Sequence, residues 1–146
     1  MPLVVPNAGE LELLDKMLKD ALSSNEDYIL KLFRNDYTPD QTTVAASLTE
    51  ANFTNYAAVT LTRSGWNSAV TVSNKAESSY GSAAQSWTCG TTGNTIYGYW
   101  VTGATSSAVL WAERFAVSRV LASGDVLNLT PRPFYNNLGG ELAKAA

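Results

Sequence analysis

Residues 92–131 read TGNTIYGYWVTGATSSAVLWAERFAVSRVLASGDVLNLTP, and the fold class turns on this stretch. Its aromatic and β-branched residues gather in three segments, 96–101, 107–117 and 126–130, separated by Gly103 and by Gly124-Asp125. Such residues suit a pleated, half-buried surface, and Gly and Asp supply the turns between strands. Within 107–117 the side chains alternate: Val109, Trp111, Glu113, Phe115 and Val117 share one face, and Ala108, Leu110, Ala112, Arg114 and Ala116 the other.

The same pattern extends toward the N-terminus. Residues 28–33 predict a strand with Tyr28, Leu30 and Leu32 on one face and Ile29, Lys31 and Phe33 on the other, covered on both sides. Residues 56–62 predict another, with Ala57, Val59 and Leu61 inward. Residues 66–73 place Trp66, Val70 and Val72 on one face, and 84–89 put Gln85, Trp87 and Cys89 in phase. Between these, 35–40 read as a turn-rich surface excursion, and 74–83 lack an apolar run and read as an exposed connection. Only 8–22 has helical periodicity, with Leu11, Leu14, Leu18 and Leu22 in one stripe, Asn7 placed as N-cap, and Glu10 three residues on.

The reading is therefore mainly β: an antiparallel β-sandwich of jelly-roll type, about eight strands, with one N-terminal α-helix and an open barrel as the alternative. It divides into a helical arm (1–25), a β body (26–131) and a C-terminal tail (132–146), one domain overall. Two prolines and a Gly pair make the tail a peripheral arm in this reading.

Composition narrows the function classes. A chain of 146 residues buries enough surface to stand without staples, and 45% hydrophobic against 16% charged residues leaves a neutral exterior of Ser, Thr, Asn and Ala. Sparse charge is compatible with broad contacts to other protein. A net charge of -3, with ten scattered Lys and Arg, argues against nucleic acid. No apolar run reaches membrane-spanning length, and the N-terminus does not read as a secretory signal, so a soluble chain made in a cytoplasm is expected.

Chemistry-bearing residues are few. The single Cys89 excludes an internal disulfide or a Cys-cluster zinc site, and the absence of histidine removes the usual general base and a common metal ligand. Gly90, Gly93 and Gly98 lack the setting of a phosphate loop, and Asp36, Asp40 and Glu50 lack Ca²⁺-loop spacing. No cofactor or metal is expected. Glu113 between Trp111 and Phe115 reads either as a general acid or, more simply, as a carboxylate paired with Arg63, Arg114 or Arg119 at a sheet edge or subunit contact. A glycosidase would need a second carboxylate, for which Asp125 is the nearest candidate but sits as a turn residue. Tyr97, Tyr99, Trp100 and Trp111 are core aromatics or, alternatively, a sugar-stacking platform.

Three blocks, MPLVVPNAGELELLDKML, YILKLFRNDYTPDQTTVAASLTEANFTNYAAVTL and QSWTCGTTGNTIYGYWVTGATSSAVLWAERF followed by GDVLNLTP, resemble small virion proteins of tailed bacteriophages. Within that group the chain is most similar to capsid cement or decoration proteins. The resemblance covers most of the chain and rests on strand and turn patterns rather than a catalytic signature. It implies a non-enzymatic structural protein on the outer surface of the capsid, a homo-oligomer with a trimer favoured, and the major capsid protein as partner. A receptor- or carbohydrate-binding module of a tail or head fibre is the alternative. The interface candidates are Leu11, Leu14 and Leu18 on the helix, Glu113 and Arg114, and Phe134 and Tyr135 in the tail.

Overall fold

The computed structural model describes residues 6–19, 27–135 and 142–144. Among these the chain is mainly β and antiparallel. A helix, α1 (Asn7–Leu18), is followed by β1 (Tyr28–Phe33), β2 (Val59–Leu61), β3 (Val70–Val72), β4 (Lys75–Glu77) and β5 (Gln85–Thr88). Then come β6 (Thr95–Gly103), β7 (Val109–Val120), β8 (Val126–Leu129), β9 (Pro133–Tyr135) and β10 (Leu142–Lys144). The strands β1–β8 fall within residues 26–131. Where the sequence suggests arm, body and tail, the contacts group the chain into two compact units. One collects Met1–Glu26, Thr62–Ala84 and Thr130–Ala146; the other collects Asp27–Leu61 and Gln85–Leu129.

The second unit is built on β6. Its sheet has the order β2-β1-β6-β7, and β6 is buried almost throughout, because it is flanked on both edges and covered on both faces. Register puts Leu30 against Val101, Leu32 against Tyr99 and Phe33 against Gly98. One face carries Tyr28, Leu30, Leu32, Tyr99 and Val101, all buried. On the other, Phe33, Trp100 and Leu48 form a cluster joined by Tyr37, Tyr97, Val109 and Ala112. The 35–40 excursion thus serves as a cover for the sheet: Asn35 Nδ2 donates to the Ser47 carbonyl at 3.0 Å, and Phe33 bridges Glu50. Gly98 is required by close approach, since a Cβ there would sit 2.0 Å from the Glu113 carbonyl and 2.6 Å from the Phe33 ring. A two-stranded sheet, β5-β8, completes this unit, with Trp87 paired to Leu127 and both buried.

The first unit holds α1 and the sheet β10-β9-β4-β3. Leu14 and Leu18 are buried as α1 lies against β3, β4 and β9. Asp15 Oδ1 accepts from the Ala69 amide at 2.8 Å, and the Lys19 carbonyl accepts from Arg63 Nε at 2.8 Å, fastening the helix end to the 62–69 segment. The helix begins one residue earlier than the periodicity predicts: Pro6 is the N-cap and Asn7 lies inside. Pro6 fits because its extended φ, ψ delivers the chain to the first turn. The last predicted helical residues, 20–22, lie outside the described residues.

Two expectations are corrected here. The 74–83 segment contains β4, paired with β3 through a two-residue turn in which Ser73 and Asn74 both have positive φ, 50° and 60°. That is the twist a tight hairpin demands, and Asn tolerates it. Ala76 and Ser78 are buried in consequence. Conversely, Val70 and Val72 do not share the burial of Trp66; they stand 55% and 44% exposed on an edge strand. The tail also joins a sheet, β9 pairing with β4 and β10, with Pro133 at the first position of its strand, where a missing N–H is tolerated.

Candidate functional site

Two half-buried polar clusters flank the β1-β6-β7 sheet. Glu113 lies opposite Tyr99 in the β6–β7 register, and the Tyr99 hydroxyl donates to Glu113 Oε2 at 2.9 Å. Burial, together with the adjoining Glu113 carboxylate, holds the Tyr99 phenol well above its ordinary value, so it remains a neutral donor. Arg114, the next residue, points to the other face. It pairs with Asp36, donates through Nη1 to the Tyr37 carbonyl at 3.0 Å and lies 5.3 Å from the Tyr97 ring centroid. Glu113 and Arg114, both interface candidates from the sequence, are half-buried.

The second cluster was not anticipated. Lys31 Nζ donates to Glu50 Oε2 at 3.0 Å, and the Tyr56 hydroxyl donates to Glu50 Oε1 at 3.0 Å while accepting from the Leu32 amide at 3.1 Å. Burial, with the Glu50 charge adding to it, raises the Tyr56 pKa far above its usual range. Lys31 also sits 5.8 Å from the Trp100 ring centroid. The cluster anchors the 50–56 segment onto β1. A lysine in phase with Phe33 was its sole sequence signal.

The remaining candidates are dispersed. Leu14 and Leu18 are buried inside their own unit, Leu11 is half-buried, and Phe134 and Tyr135 lie in β9 with side chains outside the description. Asp40 folds back on its own loop, its Oδ1 accepting from the Thr42 hydroxyl and amide, both at 2.8 Å, which lowers its pKa. Cys89 is buried near the Gly90 and Thr92 carbonyls. Asp125 acts as a turn residue, Oδ2 accepting from the Ala122 amide at 2.8 Å. Among the described residues no three His, Cys, Asp or Glu side chains gather as a metal site.

Several large apolar side chains are exposed among the described residues. Val117 and Val120, near the end of β7, are 69% and 74% exposed, and Val126 at the start of β8 is 51% exposed. Sequence alternation assigned Val117 to the face of Trp111 and Phe115. The ladder, however, runs Gly98↔Arg114 and then Ile96↔Arg119, so β7 carries extra residues over 115–118 and the phase is lost. The run Phe115-Ala116-Val117, apolar at successive positions, was the available hint. A groove of about 500 Å³ opens beside these valines, lined by residues 118–121 and 125–128. Compared with protein-family models, with curated proteins and with solved structures, the chain matches none.

Proposed function

We propose that this chain is a non-enzymatic structural protein of a phage virion that binds the assembled capsid, through the major capsid protein, and stabilises it. In this reading the sheets of the second unit are the two faces of a jelly-roll sandwich, and the chain sits on the outer surface of the particle. The observation that carries the reading is the distribution of side chains. Polar chemistry is turned into local anchoring at Glu113, Arg114 and Glu50, while β-branched apolar residues (Val70, Val72, Val117, Val120, Val126) face outward on a charge-poor surface. Such a surface suits contact with protein. A chain that binds the lattice and not its separated subunits strengthens it by mass action, and repeated copies add avidity. The sugar-binding alternative calls for open aromatic faces; Tyr99 and Trp100 are buried and Tyr97 lies beneath Arg114.

The test is direct. Purified chain is mixed with expanded capsids lacking it and sedimented, and the particles are imaged by electron microscopy. Saturable co-sedimentation with density at repeated lattice positions is expected. Chain left in the supernatant at saturating concentration sinks the reading.

A further inference from the structure

The groove at the end of β7 has an unusual construction. Its walls are consecutive strands that do not pair with each other: β7 is the last strand of β2-β1-β6-β7, and β8 ends the β5-β8 sheet. Neither strand has a second partner among the described residues, and a strand with a free edge can recruit further protein. Val120 stands on one wall and Val126 on the other, and exposed Val117 lies three residues before Val120 on β7. The charged residues lining it are one of each sign, exposed Arg119 on the β7 wall and exposed Asp125 on the β8 side.

We propose that this groove is a docking surface for a second copy of the same chain, related by a two-fold axis that sets Arg119 of each copy against Asp125 of the other. The charge pattern selects the occupant. A two-fold contact uses the same patch twice, so the patch must contain both members of each complementary pair, and this one does. A ring of three would instead need two different matching patches. In the paired arrangement Val120 and Val126 of both copies are covered together, and the Arg119–Asp125 pair forms twice. The inference goes beyond the capsid reading and does not rest on it, because the contact is formed by free chain in solution.

Sedimentation velocity of the full chain, across micromolar concentrations and in low and high salt, tests it. A reversible dimer that weakens with salt is expected. Arg119→Glu replaces two attractive pairs with two repulsive ones and weakens the dimer by about tenfold or more. Adding Asp125→Lys to Arg119→Glu restores association. Val120→Asp, at a position 74% exposed in the single chain, abolishes the dimer while leaving the unfolding transition in place. A monomer at every concentration, a trimer, or a dimer indifferent to both Arg119→Glu and Val120→Asp overturns the proposal.

Discussion

Two seams separate the four-stranded and two-stranded sheets of the second unit, and they are finished differently. At one, between β5 and the chain leading into β2, the Trp87 indole is buried and its Nε1 donates to the Ala57 carbonyl at 2.8 Å, so a side chain spans the gap that backbone pairing leaves. The shallow groove that remains, about 360 Å³, is lined mostly by small residues such as Ala57, Ala58 and Ser86. At the other, between β7 and β8, the walls carry Val120, Val126, Arg119 and Asp125, and the valines face solvent. One seam is closed by a large residue from within the chain; the other leaves Val120 and Val126 exposed.

Substitution at Trp87 breaks this contrast most strongly. Trp87→Ala removes both the bridge and the buried ring, and should cost about 3–5 kcal/mol of stability in urea unfolding. Alkaline pH attacks the same region through Tyr56 and, across the sheet, Tyr99. Both phenols are raised in the folded chain above the ordinary tyrosine pKa of about 10, so the fold favours their protonated form. Their contribution is complete below the unfolded-state pKa and is lost as pH rises toward the folded values. Stability should be level through neutrality and fall above about pH 10 in denaturant titrations, with Tyr56→Phe flattening the fall. Trp87→Phe isolates the hydrogen bond: the ring volume is largely kept, the Ala57 carbonyl loses its donor, and about 1–3 kcal/mol should be lost. The open seam should be tolerant by comparison. Val126→Thr, at a half-exposed edge position, should change monomer stability by no more than about 0.5 kcal/mol, measured at concentrations where the chain is monomeric.

The strands were legible where alternation and burial agreed. Residues 28–33 form β1 as read, because apolar residues on both faces left a covered strand as the fitting solution. The β3–β4 hairpin escaped because its signal is the dipeptide Ser73-Asn74, whose left-handed backbone is demanded by the turn rather than announced by a glycine. The tail was read as peripheral from its prolines, yet Pro133 opens a strand where its lack of an N–H costs nothing. At the site level, the sequence offered Arg63, Arg114 or Arg119 as partners for Glu113. Its Tyr99 partner is set by cross-strand register, a quantity local pattern does not contain. Val117 was misplaced for a related reason: irregular pairing over 115–118 resets which face a residue takes.

The first unit is discontinuous, assembled from residues at both ends of the chain and a central segment. That arrangement fixes an order of events during synthesis. Every strand of the second unit, β1, β2 and β5–β8, is synthesised before β9. The helix α1, translated before all of these strands, must wait for β9 to complete the sheet it packs on. Its buried Leu14 and Leu18 can meet β3 and β4 midway through synthesis but lack the β9 part of their cover until later. Long-range closure of this kind is slow relative to local pairing. An element made before every strand described is thus among the last to be finished, and a nascent polypeptide stalled before residue 133 would present that helix, incompletely covered, to any protein able to hold it.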